Sequence, residues 1–231
     1  MTPDPRIEHW NFNLYRDPVI LLSTLIFILA LALVLIYPGW LSYAGLGITV
    51  LLLGVVIYFF RDPIREVVDQ PGLVVGPCDG KVVSIERMVE PTYLQAETLR
   101  ISVFLSLFDV HVQRIPIEGR VEMVDHQPGE FLQAFRPEAS EVNEFIAMQL
   151  ATPYGKLLVK QIAGILARRC LNYARPDDRV RTGQRFGHIK FGSRVDLFLP
   201  PHADLTIEIG QKIIGGITPI AQFRVEDHGE K

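Results

Sequence analysis

Two long uncharged apolar runs stand near the start of the chain, and only short apolar stretches follow. Val19–Tyr37 reads VILLSTLIFILALALVLIY and Trp40–Phe60 reads WLSYAGLGITVLLLGVVIYFF. As α-helix, each run of about 20 residues spans roughly 30 Å, the thickness of a bilayer's hydrocarbon core. Between them lies only Pro38-Gly39, a helix-breaking turn pair. The pattern predicts an N-terminal membrane hairpin over residues 1–66, with helices at about 19–37 and 40–60. Aromatic residues gather at the ends of the runs: Trp10, Phe12 and Tyr15, then Tyr37 and Trp40, then Tyr58, Phe59 and Phe60. Such rings favour the headgroup layer, having an apolar body and, in Trp and Tyr, a polar tip. A hairpin lying in one leaflet and a hairpin buried in a soluble core are the alternatives.

From Arg61 onward charges return and the pattern shortens. Leu73–Val75, Lys81–Ile85, Leu99–Leu105, Gly119–Val124, Phe145–Gln149, Lys156–Ile162, Val195–Leu199 and Ala203–Ile209 read as strands, many separated by Gly, Pro or Asp-Gly turns. Ala163–Asn172 reads as a helix. Many short strands predict a mainly β soluble domain over 67–231, barrel- or sandwich-like. There is no Gly-rich phosphate loop, no HExxH and no Gly-x-Ser-x-Gly elbow.

Charge refines the hairpin. Arg6, Arg16, Arg61 and Arg65 all lie on its open side, and the turn carries none. The positive-inside tendency puts both termini, and the β domain, in the cytoplasm. No small-residue cleavage site follows the first run, so a removed signal peptide is not expected. Hydrophobic residues make up 48 % of the 231 residues, which fits a membrane part. The net charge of −3 offers no attraction to nucleic acid. Cys78 and Cys170 are far apart and form no CxxC pair; they read as buried reduced thiols rather than a disulfide or a zinc site.

Candidate chemistry centres on Gly192-Ser193, set between two strand-like apolar pieces in IKFGSRVDLFLP. Asp79 lies in a Pro-Cys-Asp-Gly-Lys turn, a spacing equally suited to a plain hairpin. His111 and Arg114 lie with Asp109 in a polar cluster directly after an apolar strand. His126 reads as a loop residue. His188 precedes Ser193 by five positions and points either toward it or to the other face.

These pieces together resemble the phosphatidylserine decarboxylase proenzymes, in particular their short bacterial and archaeal form. The resemblance covers nearly the whole chain. It is carried by Phe59-Phe60-Arg61-Asp62-Pro63, Gly76 to Val82, Phe104 to Pro116, Gln127-Pro128-Gly129, Asn143-Glu144 and Gly187 to Pro200. It implies self-cleavage between Gly192 and Ser193 into a large and a small subunit that stay together as a heterodimer, with a higher oligomer also allowed. It implies that Ser193 becomes a covalent pyruvoyl group, the cofactor, which forms a Schiff base with the amine of phosphatidylserine; no metal and no pyridoxal phosphate are implied. Asp79 matches the family's aspartate. Of two family histidines three apart, the first position is His111 and the second is Arg114. His111 is therefore the expected base, with His126 and His188 in reserve, and Arg114 is a candidate holder of substrate carboxylate or phosphate.

The expected activity is decarboxylation of phosphatidylserine to phosphatidylethanolamine in phospholipid biosynthesis, at the cell membrane, with no nucleic-acid partner. One alternative is a pyruvoyl decarboxylase for a different serine-like lipid headgroup. Another is a non-catalytic, membrane-tethered β-rich carrier or binding module, which calls for a modifiable Lys or His on an exposed hairpin tip; none stands out.

Overall fold

The computed structural model of the protein describes residues 17–134, 136, 138–165, 170–189 and 192–224. The chain divides into two compact units, Asn11–Pro63 and a second containing Ile64–Lys231.

Among its described residues the first unit holds two helices, α1 (Pro18–Ile36) and α2 (Trp40–Phe59). Asp17 caps α1: its carboxylate accepts from the Val19 N–H at 3.0 Å, and Pro18 supplies the preset φ of a first turn. Pro38 lacks an N–H and Gly39 is extended, so the chain reverses there. Both helices are apolar on every side, and large side chains such as Leu35 and Trp40 are exposed. The hydroxyls of Ser23 and Thr24 donate back to the Ile20 carbonyl, and that of Thr49 to Leu46. Satisfying hydroxyls within the helix is what a lipid environment requires. Both helices are long and apolar enough to cross a bilayer.

The second unit is mainly β. Its principal sheet has eight antiparallel strands in the order β13 (Lys212–Ile213), β2 (Gly80–Glu90), β3 (Ala96–Leu105), β11 (Ser193–Leu199), β7 (Gly155–Ile162), β6 (Phe145–Thr152), β5 (Gly119–Gln127) and β9 (Arg179–Val180). The sheet curls into a half-barrel. A second sheet joins β1 (Leu73–Val75), β14 (Pro219–Gln222) and β12 (Asp204–Leu205). A third joins β4 (Val112–Arg114), β10 (Arg185–Ile189) and β8 (Cys170–Asn172). A single-turn helix, α3 (Ala139–Val142), lies between β5 and β6.

Strand alternation explains the core. On one face of the principal sheet, Ile101, Val159 and Leu197 sit side by side and join the main apolar cluster. On the other face, Phe198, Leu158 and Ala147 form a smaller cluster with Met88, Tyr93, Leu94 and Phe145. β11 is therefore buried on both faces and paired along both edges, and all seven of its residues are buried. Cys78 and Cys170 are free and buried, as expected, and burial pushes both thiols well above their ordinary range.

Two expectations are corrected. The helix expected over Ala163–Asn172 is not formed at its described residues. Ala163 and Gly164 are irregular, and Cys170–Asn172 is β8, paired with Gly187–Ile189 of β10; residues 166–169 lie outside the described residues. A partner strand more than ten residues away overrode the local pattern. The strand expected over Ala203–Ile209 shrinks to Asp204–Leu205, because the turn at Glu208, whose N–H bonds to Gln211, takes the chain out of the ladder.

Candidate active site

The chain leaves the three-stranded sheet at the end of β10 and enters the centre of the principal sheet at the start of β11. Gly192 makes that crossing with a φ of +62°. A Cβ there would meet nothing within 4 Å, so it is the left-handed backbone, not crowding, that asks for glycine. Lys190 and Phe191 lie outside the described residues.

Ser193 is the first residue of β11, opposite Leu105. It is 0 % exposed, and its Oγ has no hydrogen-bond partner among the described residues. Leaving a buried hydroxyl unpaired costs about 1–3 kcal/mol, so such an atom calls for a chemical explanation.

His111 reaches the residue before Ser193. It is 3 % exposed and lies in the loop that follows β3. Its Nδ1 is 2.9 Å from the Asp109 carbonyl, which can only accept, so Nδ1 carries the proton. Nε2 then holds a lone pair, and it accepts the Gly192 N–H at 3.4 Å. A basic nitrogen thus rests on the residue before Ser193. The loop itself is closed by the Asp109 carboxylate, which accepts from the Ser106 N–H at 2.8 Å and the Ser106 hydroxyl at 2.6 Å. The Ile189 N–H donates to the His111 carbonyl at 3.2 Å, tying the loop to the end of β10.

Asp79 stands at the same end of the principal sheet. Lys81, Phe104 and Arg194 are in register across β2, β3 and β11, which sets the Asp79 turn about two strand spacings, roughly 10 Å, from the start of β11. Its carboxylate accepts both guanidinium nitrogens of Arg65, at 2.6 and 2.8 Å, and the Gly215 N–H at 2.9 Å. Arg65 also donates to the Gly215 carbonyl at 2.6 Å. The observed partner of His111 Nδ1 is the Asp109 backbone, while the observed partners of Asp79 are Arg65 and Gly215.

The other candidates sit elsewhere. His126, expected in a loop, instead lies on β5, because its backbone pairs with Ile146 of β6. It is 56 % exposed at its side chain, pairs with Glu144 at 3.2 Å and stands three strands from β11, or roughly 14 Å. His188 is buried on β10, stacked on Tyr173, whose hydroxyl is 3.4 Å from its Nδ1. Arg114 is 5 % exposed; its guanidinium donates to the Gly183 carbonyl at 3.1 Å and its N–H to the Pro77 carbonyl at 2.7 Å. Its side chain packs closely against Gly216.

Sequence reading passed over the groups behind the serine. Arg194 and Asp196 project from the opposite face of β11 and form a buried bidentate pair at 2.6 and 3.1 Å. Arg194 also donates to Ser102 Oγ, and Asp196 accepts from Ser140 Oγ, each at 2.7 Å. Lys160 donates to the Ser140 carbonyl, and burial lowers its pKa. The charged letters of Ser-Arg-Val-Asp were the available signal, because a central strand carries charge only where it is paired. Arg65 was read only as an orienting charge, since nothing local links it to Asp79.

A buried serine hydroxyl, a left-handed glycine before it and a histidine nitrogen on that glycine's N–H meet at the start of a central strand of a mainly β domain. The comparisons make the class specific. The family model for phosphatidylserine decarboxylase matches residues 52–221. The phosphatidylserine decarboxylase proenzyme of Parabacteroides distasonis is 39 % identical over 217 residues, covering 91 % of this chain and 99 % of that protein. That of Carboxydothermus hydrogenoformans is 38 % identical over 211 residues, covering 90 % and 99 %. That of Desulfotalea psychrophila is 40 % identical over 168 residues, covering 72 % and 78 %. The chain belongs to the phosphatidylserine decarboxylase family.

Proposed function

We propose that this protein cuts itself between Gly192 and Ser193 and then decarboxylates phosphatidylserine to phosphatidylethanolamine. The observation that carries the reading is the buried, unpartnered Ser193 Oγ directly after a left-handed glycine whose N–H rests on His111 Nε2.

The first step uses only the chain's own atoms. The Ser193 Oγ bonds to the Gly192 carbonyl carbon, and its proton passes to His111 Nε2. The bond from that carbon to the Ser193 nitrogen breaks, the nitrogen takes the proton, and an ester replaces the amide. Removal of the Ser193 α-proton then expels the Gly192 carboxylate by β-elimination. Water converts the dehydroalanine to a pyruvoyl group and ammonia. His111 is suited to the base role because the Asp109 carbonyl fixes its tautomer and ring plane.

The residues present fit such a group: residue 193 is shielded from water and begins a strand held on both edges. The pyruvoyl ketone supplies Schiff-base chemistry, taking the substrate amine and accepting the electron pair released as carbon dioxide leaves. The hairpin keeps the β domain beside a two-chain lipid that stays in the bilayer, which raises the local substrate concentration. The arginines on the open side of the hairpin support a cytoplasmic β domain by the positive-inside tendency. The two fragments, Met1–Gly192 and 193–231, stay together as a heterodimer.

Denaturing mass spectrometry of the purified protein tests this. Two fragments are expected, the smaller beginning with a pyruvoyl group. A single species of 26.1 kDa with intact Ser193 overturns the reading. His111→Ala is expected to remain uncut and inactive; maturation and decarboxylation at the wild-type rate remove His111 from the mechanism.

A further inference from the structure

Gln127-Pro128-Gly129 and Asn143-Glu144 carry part of the family resemblance, yet the cleavage chemistry assigns them no role. The fold does. Asn143 is buried, and its Nδ2 donates to the Leu132 carbonyl at 2.8 Å and the Ala163 carbonyl at 2.7 Å. Its Oδ1 accepts the Leu132 N–H at 2.8 Å. The Glu144 carbonyl accepts the Ala163 N–H at 2.9 Å, and the Glu144 N–H donates to Glu130 at 3.0 Å. Gly129 lies so close that a Cβ there would be 2.5 Å from the Val142 carbonyl oxygen. Ala163 is thus held at both its N–H and its carbonyl by Asn143 and Glu144.

The next residue is Gly164. A Cβ on it would lie 2.2 Å from the Gly192 carbonyl oxygen, the oxygen of the bond proposed to be cut. We propose that Gly164, seated by Asn143, is a positioning residue for self-cleavage: it backs the Gly192 carbonyl and leaves room for its oxygen as the carbon turns tetrahedral. The inference rests on the proposed cut between Gly192 and Ser193. Non-bonded carbon and oxygen do not approach to 2.2 Å, so a methyl at 164 displaces the carbonyl by about 1 Å, and a misplacement of that size costs on the order of 10²-fold in rate.

The test follows maturation of the full-length chain in a membrane-containing cell-free system. Gly164→Ala is expected to cut about 100-fold more slowly than wild type. The uncut chain should resist hydroxylamine, which cleaves an ester but not an amide, because the first step is the one stalled. Asn143→Ala, which leaves the glycine in place but unseats it, should slow cutting by about 10-fold. Gly155→Ala is the control: that glycine has a φ of +114° in the β6–β7 turn, near Pro200 and about 20 Å along β11 from Ser193. It should lower the melting temperature and leave the cutting rate unchanged.

The proposal is overturned if Gly164→Ala matures at the wild-type rate, if it accumulates a hydroxylamine-sensitive ester, or if Gly155→Ala slows cutting as much. Folding is checked by melting each change in an uncuttable Ser193→Ala background. If Gly164→Ala does not fold there, folded Asn143→Ala decides, and wild-type maturation in it overturns the proposal. A wild-type chain that stays whole means instead that the cleavage reading has failed.

Discussion

At the residue scale, the site departs from what stability alone favours. Ser193 hides a hydroxyl with no partner among the described residues, and Gly192 takes a backbone conformation that a side chain disfavours. Removing the hydroxyl relieves the first cost. Ser193→Ala is therefore expected to abolish cutting while unfolding at the same or a higher urea concentration than an uncut His111→Ala chain, by up to about 1 kcal/mol. Parallel urea titrations in detergent check this. A clear loss of stability instead means that the hydroxyl has a stabilising partner in the folded chain.

At the element scale, β11 does two jobs with its two faces. One face carries Ser193 and then Val195, Leu197 and Leu199 into the main cluster. The other carries the Arg194–Asp196 pair, which ties the strand to β3 through Ser102 and to α3 through Ser140. Taking one partner from a buried pair leaves the other charge uncompensated. Asp196→Ala is expected to cost about 3 kcal/mol of unfolding free energy in the uncuttable background, and Arg194→Met added to it to recover part of that loss. Chemical denaturation of the single and double variants measures the coupling; additive losses mean that the pair is not coupled.

At the scale of the whole molecule, two units of different surface character share one chain. Residues 64–224 contain every group of the candidate site described above, while the helices of the other unit expose apolar side chains all round. Deleting residues 1–63 is expected to yield a protein that still cuts itself and no longer sediments with membranes. Its decarboxylation of bilayer phosphatidylserine should fall at least tenfold while activity on a detergent-dispersed, short-chain substrate is retained. Flotation and product analysis of the truncated chain test the expectation. Loss of cutting would show that residues 1–63 contribute to the site. The Arg65–Asp79 clamp is kept in this truncation, because it belongs to the β unit.

Much of this was legible in the residues themselves. Membrane helices announce themselves in one dimension, because lipid imposes about 20 consecutive apolar residues regardless of partners. The longer strands show likewise, since a half-buried ladder imposes its period on the chain. The sequence alone placed the hairpin, the mainly β class and the Gly192-Ser193 and His111 candidates. It did not show β8, which lay in a stretch that read as helix, nor Arg65 on Asp79 or Gly164 on the Gly192 carbonyl. Those are contacts between residues more than a dozen positions apart, made by strand pairing and loop closure. A linear pattern records which face of an element is apolar. Which element arrives opposite it, and how close two backbones come, is decided only when the sheets close around a common core.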